Sequence, residues 1–176
     1  MPHIHEQPGQ HDLTASAYIV RTDGDRPRFL LHQHKKLGLL LQIGGHVELL
    51  ENPWQAVLHE VTEESGYTPD QLKLLQPSLR IPQMTGVATH PHPVTLLTHP
   101  FPGLEHSHID IAWAFVTEQS PKQPVSDGES DTLQFLSADE LRTLPSNAIP
   151  ENVREAGLFV LEAVFNTWEQ VPLPSA

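Results

Sequence analysis

The chain has 176 residues and a mass of 19.7 kDa, the size of one ordinary domain. It contains no cysteine, which excludes disulfides, iron–sulfur clusters, thiolate zinc sites and a cysteine nucleophile. With histidine neutral the formal net charge is −12, so the surface repels the phosphates of DNA and RNA and does not suit an anionic membrane. An anionic small molecule remains a suitable ligand if a divalent cation bridges it to the protein.

The first residues carry no targeting signal that we can identify. They read MPHIHEQPGQHDL, with neither a basic start nor an apolar run, so no signal peptide is predicted. No segment approaches the about 20 apolar residues of a membrane span. The default expectation is a cytoplasmic protein.

Composition predicts a single domain, because there is no internal repeat and no second composition block. We expect the domain to cover residues 13–170. A flexible arm over 1–12 precedes it, and a disorder-prone tail over 171–176 follows it.

Strands are predicted where short runs are rich in branched and aromatic residues. They cover residues 14–20, 28–34, 39–43, 72–76, 94–98, 106–117 and 132–136. The first two are expected to pair antiparallel, and the Gly44-Gly45 pair to end the third. The stretch 77–107, rich in proline and histidine, is the least regular part of the chain.

Three helices are predicted between the strands. The first covers 52–65, with Asn52 as N-cap, Pro53 in the first turn and Gly66 as the stop. The second covers 137–144 and opens with a capping box, and the third covers 150–170. Strands interleaved with helices indicate an α/β or α+β fold.

The first helix concentrates carboxylates on one arc. At about 100° per residue, Glu63 and Glu64 lie at about −60° and about +40° from Glu60. Like charges at this spacing repel, and acidic groups near a helix C-terminus oppose the macrodipole. A solvated acidic face is one reading; the other is a site for Mg²⁺ or Mn²⁺, hard ions that prefer oxygen ligands.

The spacing of this segment carries a resemblance to a known family. Residues 45–67 read G-x5-E-x7-H-E-V-x-E-E-x-G-Y, which resembles the Nudix box, G-x5-E-x7-R-E-U-x-E-E-x-G-U, where U is bulky and apolar. The preceding LQIGGHVE is similar to the strand-and-glycine lead-in of that family. One position departs from the pattern, because His59 stands in place of the arginine.

The resemblance implies a Nudix-type α/β/α sandwich with a mixed central sheet. It further implies a metal-dependent pyrophosphohydrolase that uses Mg²⁺ or Mn²⁺ to cleave a nucleoside diphosphate linked to another group X. Carried over by position, Glu60 and Glu64 are the surest metal ligands, and Glu63 is a further ligand or orients water. Gly44 would offer its carbonyl oxygen, and Glu51 would bind a second ion through water or anchor the loop.

The general base stays open. In the family it is sometimes a box glutamate and sometimes a glutamate from a distant loop. Glu129 lies where such a loop residue often occurs, with Asp127 and Asp131 as competitors. The alternative for all three is an ordinary acidic loop.

Two interpretations of His59 also stay open. The family's arginine typically braces a box carboxylate, and protonated histidine can partly replace it. The brace would then weaken as pH rises through the pKa of His59. Alternatively, His59 packs at the helix flank and other contacts hold the carboxylates.

The remaining histidines include the H-x-H pairs His32/His34, His90/His92 and His106/His108. On a strand, both members of a pair share a face and can converge on one ion, but tetrahedral zinc would need further ligands. We therefore expect His106, His108 and Asp110 to line the polar side of a substrate cleft, opposite the apolar face of their strand.

Other functions are kept as alternatives. The first is a nucleotide-binding sensor or regulatory domain with little hydrolysis. The replacement of the family's arginine by His59 leaves this alternative open. The second, an isomerase on the same fold, is disfavoured because the chain lacks the cysteine such isomerases commonly use. The expected ligand is a nucleotide derivative of unspecified base and X group, and the oligomeric state is open, with a homodimer as one option.

Overall fold

The structure is a computed structural model that describes residue 5 and residues 7–100 and 105–174. Parts of the expected arm, of the irregular stretch and of the tail fall on residues 1–4, 6, 101–104 and 175–176. Those parts lie outside the described residues.

The described strands form one sheet. They are β1 (His11–Arg21), β2 (Arg28–Gln33), β3 (Leu40–Leu41), β4 (Ile43–His46), β5 (Lys73–Gln76), β6 (Thr95–Pro100), β7 (Ser107–Thr117), β8 (Leu133–Leu136) and β9 (Glu169–Pro172). The order along the sheet is β3-β2-β1-β7-β5-β9, with β4 on β1, β6 on β7 and β8 on β2. β1 and β7 run parallel over their whole length, and the other pairs are antiparallel, which confirms the mixed sheet.

The helices follow the predicted order. They are α1 (Pro53–Ser65), α2 (Ala138–Thr143) and α3 (Glu151–Phe159), which continues through a π-helical turn (Val160–Val164) into α4 (Phe165–Thr167). A short 3-10 turn covers Pro69–Gln71. In the described residues, no helix has the length and apolar character needed to cross a membrane.

Local signals explain where α1 begins and ends. The side chain of Asn52 accepts hydrogen bonds from the backbone N–H groups of Trp54 and Gln55. In return, the side chain of Gln55 accepts a hydrogen bond from the backbone N–H of Asn52, which completes the capping box. Gly66 has φ of 70°, a left-handed conformation that lets its N–H reach the carbonyl of Thr62. Both predicted caps are therefore confirmed.

Helices cover both faces of the sheet. On one face, Trp54 and Val61 of α1 pack with Trp113 and Phe115 of β7, and the Trp54 ring lies 5.5 Å from that of Trp113. On the other face, α3 and its continuation pack on a second apolar cluster that includes Phe29 of β2. Burying each large apolar side chain contributes about 1.5–3 kcal/mol. The expected α/β/α sandwich is confirmed.

The first strands depart from the prediction at two places. β1 begins at His11, so the flexible arm is wrong for residues 11–12, where Asp12 is buried beside the start of β7. The strand expected over 39–43 is two strands, and Gly44 and Gly45 lie inside β4 instead of ending a strand. Pairing with β1 holds them there.

The end of the chain also differs from the prediction. The last helix ends at Thr167, and Trp168 is extended, with φ −92° and ψ 151°. The next residues form β9, which pairs antiparallel with β5, so a disorder-prone tail is wrong for residues 171–172. This segment is stabilised by its pairing with β5 and by the contact of Val171 with the apolar cluster beneath α1, called the α1-side core below.

Candidate active site

Two of the helix carboxylates are buried against β4. Glu60 is 4% and Glu64 7% exposed. Oε2 of Glu64 accepts a hydrogen bond of 2.9 Å from the backbone N–H of Gly44, which joins the helix to the strand. Glu63, on the same arc of α1, is half-exposed.

Gly45 allows this close approach of strand and helix. A Cβ at residue 45 would lie 2.6 Å from Cδ of Glu60 and closer still to Oε1. No side chain fits there unless the carboxylate moves. The absence of a side chain at Gly45 therefore allows Glu60 to occupy its observed position.

Burial changes the acidity of both carboxyl groups. Desolvation raises the pKa of Glu60 to about 7, with Glu63 and Glu129 adding to the rise and His59 opposing it. Desolvation also raises the pKa of Glu64 to about 9; the hydrogen bond from Gly44 opposes the rise, and the charges of Glu60 and Glu129 add to it. A cation held by these oxygens would remove the repulsion that causes part of both shifts.

The donor set suits a hard divalent ion. Within the described part of the chain, Oε1 of Glu60 is buried and makes no hydrogen bond. A buried carboxylate oxygen without a partner is costly, and ligation of Mg²⁺ or Mn²⁺ offsets that cost. The residues present therefore fit the metal that the sequence predicts.

His59 bridges two carboxylates at the rim of the site. Its Nε2 lies 3.1 Å from Oε1 of Glu63, and its Nδ1 lies 3.7 Å from Oε2 of Glu51. Glu51 also accepts a hydrogen bond from the N–H of Glu48, which closes the loop before α1. Burial alone would lower the pKa of His59, but Glu63, Glu51 and Glu60 outweigh it and raise the pKa above 6.5.

The loop that carries Glu129 is attached to the end of α1. The backbone N–H of Ser126 donates to the carbonyl of Glu63, and that of Gln123 donates to the carbonyl of Gly66. Glu129 itself is half-buried, whereas Asp127 and Asp131 are exposed. Of these three, only Glu129 contributes to the raised pKa values of Glu60 and Glu64.

One residue near the carboxylates has no predicted role. His32 of β2 is 2% exposed, and its Nε2 lies 3.9 Å from Oε2 of Glu64. Burial, aided by the neighbouring His34, lowers the pKa of His32 to about 4, so the ring is neutral at pH 7. Side chains alternate between the two faces of β2, so His32 lies on the same face as Leu30. Leu30 packs in the apolar cluster beneath α1, and this spacing could have indicated that His32 lies near the helix carboxylates.

His106, His108 and Asp110 lie on the other face of the sheet. Ile111 of the same strand contacts the α1-side core, so its even-numbered neighbours point away from α1. Asp110 accepts hydrogen bonds of 2.8 Å from the hydroxyls of Thr14 and Ser16. Burial raises its pKa, and these two hydroxyls oppose the rise. The structure thus groups these residues with β1 and β4 on the side away from Glu60 and Glu64, and their role at a substrate cleft stays a prediction.

The chain is similar to proteins of one known family. The family model of the NUDIX domain matches residues 11–156. The chain belongs to the Nudix family. The expected class of enzyme, a Nudix hydrolase, is confirmed.

Solved structures agree with this family. A NUDIX-family hydrolase from Clostridium perfringens shares 28% identity and a TM-score of 0.68, covering 86% of this chain and 96% of its own. A Caenorhabditis elegans Ap4A hydrolase shares the fold at 18% identity and a TM-score of 0.60, over 89% and 99% of the chains. An ADP-ribose pyrophosphatase from Streptococcus suis shares it at 22% identity and a TM-score of 0.55, over 86% and 90%. No curated protein matches the chain.

Proposed function

We propose that this Nudix hydrolase is a divalent-metal-dependent pyrophosphohydrolase that cleaves a nucleoside diphosphate linked to another group X. The observation that carries the proposal is the buried pair Glu60 and Glu64, held against Gly44 and Gly45. A bound cation would offset the repulsion between a protein of net charge −12 and a linked diphosphate.

Each residue of the site has a proposed task. Glu60 and Glu64 would hold Mg²⁺ or Mn²⁺, with Glu63, Glu51 and the carbonyl of Gly44 as further or outer ligands. When bound, the metal neutralises phosphate charge and lowers the pKa of an attacking water. The N–H of Gly44 fixes the orientation of the Glu64 carboxylate.

Proton transfer is assigned to the loop before β8. Glu129 is half-buried and its charge acts on both buried carboxylates. We assign it as the general base that takes a proton from the attacking water. The two backbone hydrogen bonds from its loop to the end of α1 keep it beside the site.

The test is hydrolysis of a nucleotide panel with Mg²⁺ and with Mn²⁺. Ap4A and ADP-ribose head the panel, because two proteins of the same fold are named for them. We expect turnover of at least one member, abolished by chelator and by Glu64→Gln. Full activity of Glu64→Gln would refute the metal-helix mechanism.

A sensor that binds nucleotides and scarcely cleaves them is the alternative, and it rests on His59. The histidine at this position bridges Glu51 and Glu63 with a charge that depends on pH. Tight binding without turnover across the panel would favour the sensor. The cytoplasmic location and a homodimer stay predictions, to be checked by fractionation and by sedimentation.

A further inference from the structure

A second group of metal-ligating side chains lies on the face of the sheet opposite α1. Asp12 on β1, His46 on β4 and His108 on β7 each offer one ligand atom, and these atoms all lie within 4.8 Å of one another. The sheet register brings them together. Asp12 pairs with His108, and His46 pairs with Thr14, two residues from Asp12 along β1.

This cluster is enclosed by the protein. Asp12 is 1% and His108 6% exposed, and the side chain of His46 is 12% exposed. Burying a carboxylate is costly unless positive charge or hydrogen-bond donors surround it. Four imidazoles, those of His5, His46, His106 and His108, surround the carboxylate of Asp12.

The distances suit a shared ion. Nε2 of His46 lies 3.5 Å from Oδ2 of Asp12. Two ligands of a tetrahedral Zn²⁺, with bonds of about 2.0–2.1 Å, stand about 3.4 Å apart. The three ligand atoms lie within 4.8 Å of one another, and the paired strands hold the backbones that carry them.

Neighbouring groups orient the ligands. The backbone N–H of His5 donates to Oδ1 of Asp12 at 2.9 Å, and the His5 ring lies at the same distance from that oxygen. Nε2 of His106 lies 3.8 Å from Oδ2 of Asp12, on the other carboxylate oxygen. Hydrogen bonds such as those of His5 position the ligands of protein metal sites.

We propose that Asp12, His46 and His108 bind one Zn²⁺ ion that joins β1, β4 and β7. Two imidazole nitrogens with one carboxylate suit zinc, whereas the all-oxygen set on α1 suits magnesium and manganese. The sheet separates the two sites, because Gly45 faces Glu60 and the next residue, His46, points the other way. The sequence offered the His106/His108 pair without its partners, which come from strands distant in the chain.

The experiment measures zinc itself and needs no substrate. Chelator-treated protein is exchanged into buffer with millimolar Mg²⁺, which competes for the α1 carboxylates, and is titrated with Zn²⁺ by calorimetry. Metal retained after gel filtration is counted by mass spectrometry. We expect one tightly bound Zn²⁺ per chain and a melting temperature that rises with its uptake.

Three variants locate the ion. His46→Asn should weaken zinc binding by more than about 100-fold, since loss of an outer partner alone costs about 10–100-fold. His90→Asn, an exposed histidine outside the cluster, and Glu64→Gln should both keep it. The Glu64→Gln arm separates this site from the hydrolytic one, because that variant should lose turnover and retain zinc.

Three results would overturn the proposal: no zinc uptake by the parent protein, equal uptake by the parent and His46→Asn, or loss of zinc in Glu64→Gln. If His46→Asn does not fold, Co²⁺ added to the parent decides. A visible spectrum typical of four-coordinate Co²⁺ with nitrogen and oxygen ligands supports the site, and its absence overturns it.

Discussion

Replacing Gly45 with alanine tests whether the position of one carboxylate controls the reaction. The added Cβ would meet Cδ of Glu60 at 2.6 Å. Apolar carbon atoms come to rest about 3.5–4.0 Å apart, so the carboxylate must retreat by about 1 Å. Glu60 is 4% exposed, so this movement takes place inside the protein.

Two magnitudes follow from this displacement. A 1 Å error in the position of a reacting group costs about 100-fold in rate, so we expect turnover to fall by about that factor. Overpacking costs about 1–3 kcal/mol of folding free energy, which lowers the melting temperature by about 2–12 °C in a chain of this length. Mn²⁺ affinity, measured by calorimetry, should weaken at the same time.

Gly24→Ala is the matched control. Residue 24 lies in the turn between β1 and β2, and its Cβ would make an ordinary 3.4 Å contact with Arg28. Turnover and Mn²⁺ affinity should match the parent in this variant. If Gly45→Ala also matches the parent in both, the close approach to Glu60 has no role in metal binding or catalysis, and the reasoning fails.

Other predictions concern the proposed general base Glu129, the residue His59 beside the carboxylates, and the protonation of the buried carboxyl groups. Glu129→Gln should lower kcat by about 100-fold or more and leave Mn²⁺ affinity unchanged; parental turnover would place the base elsewhere. His59→Arg should raise activity at pH 8, because arginine keeps the charge that His59 loses as pH rises through its raised pKa; equal rates at pH 8 would contradict the brace. In metal-free protein the pKa values of Glu60 and Glu64, about 7 and about 9, exceed those of unfolded glutamate, so the folded state holds the extra protons. The contribution of these two groups to stability should therefore be greatest below about pH 4.5 and should decline up to about pH 9. In chelator, the parent should lose melting temperature relative to Glu64→Gln as pH rises through this range; a difference between the two that does not change with pH would refute the assignment.

Local signals predicted the elements whose determinants are close in sequence. Asn52, Pro53 and Gly66 bound α1 within a single segment, and the helical period placed Glu60 and Glu64 on one arc. Which carboxylates are buried depends on β4, whose position the sequence does not state. Glu63 shares the arc but faces His59 and solvent.

Long-range pairing accounts for most of what the sequence did not show. β9 exists because β5, far earlier in the chain, offers an open edge, and nothing in VPLP itself requires a strand. Asp12 falls within the predicted arm, because one polar residue carries no periodicity. Its burial follows from pairing with β7 and from the histidines that the sheet gathers around it.

β4 explains why the two faces of the sheet cannot change independently. Side chains alternate between faces with a period of two, so a shift of one residue in β4 would exchange Gly45 and His46. The imidazole would then occupy the space that Glu60 fills, and the opposite face would lose a ligand of Asp12's cluster. The pairing of Ala15 with Gly45 and of Thr14 with His46 is thus constrained from both sides. Gly45 has therefore two consequences in this chain: it leaves room for the carboxylate of Glu60, and its register on β4 sets which way His46 points.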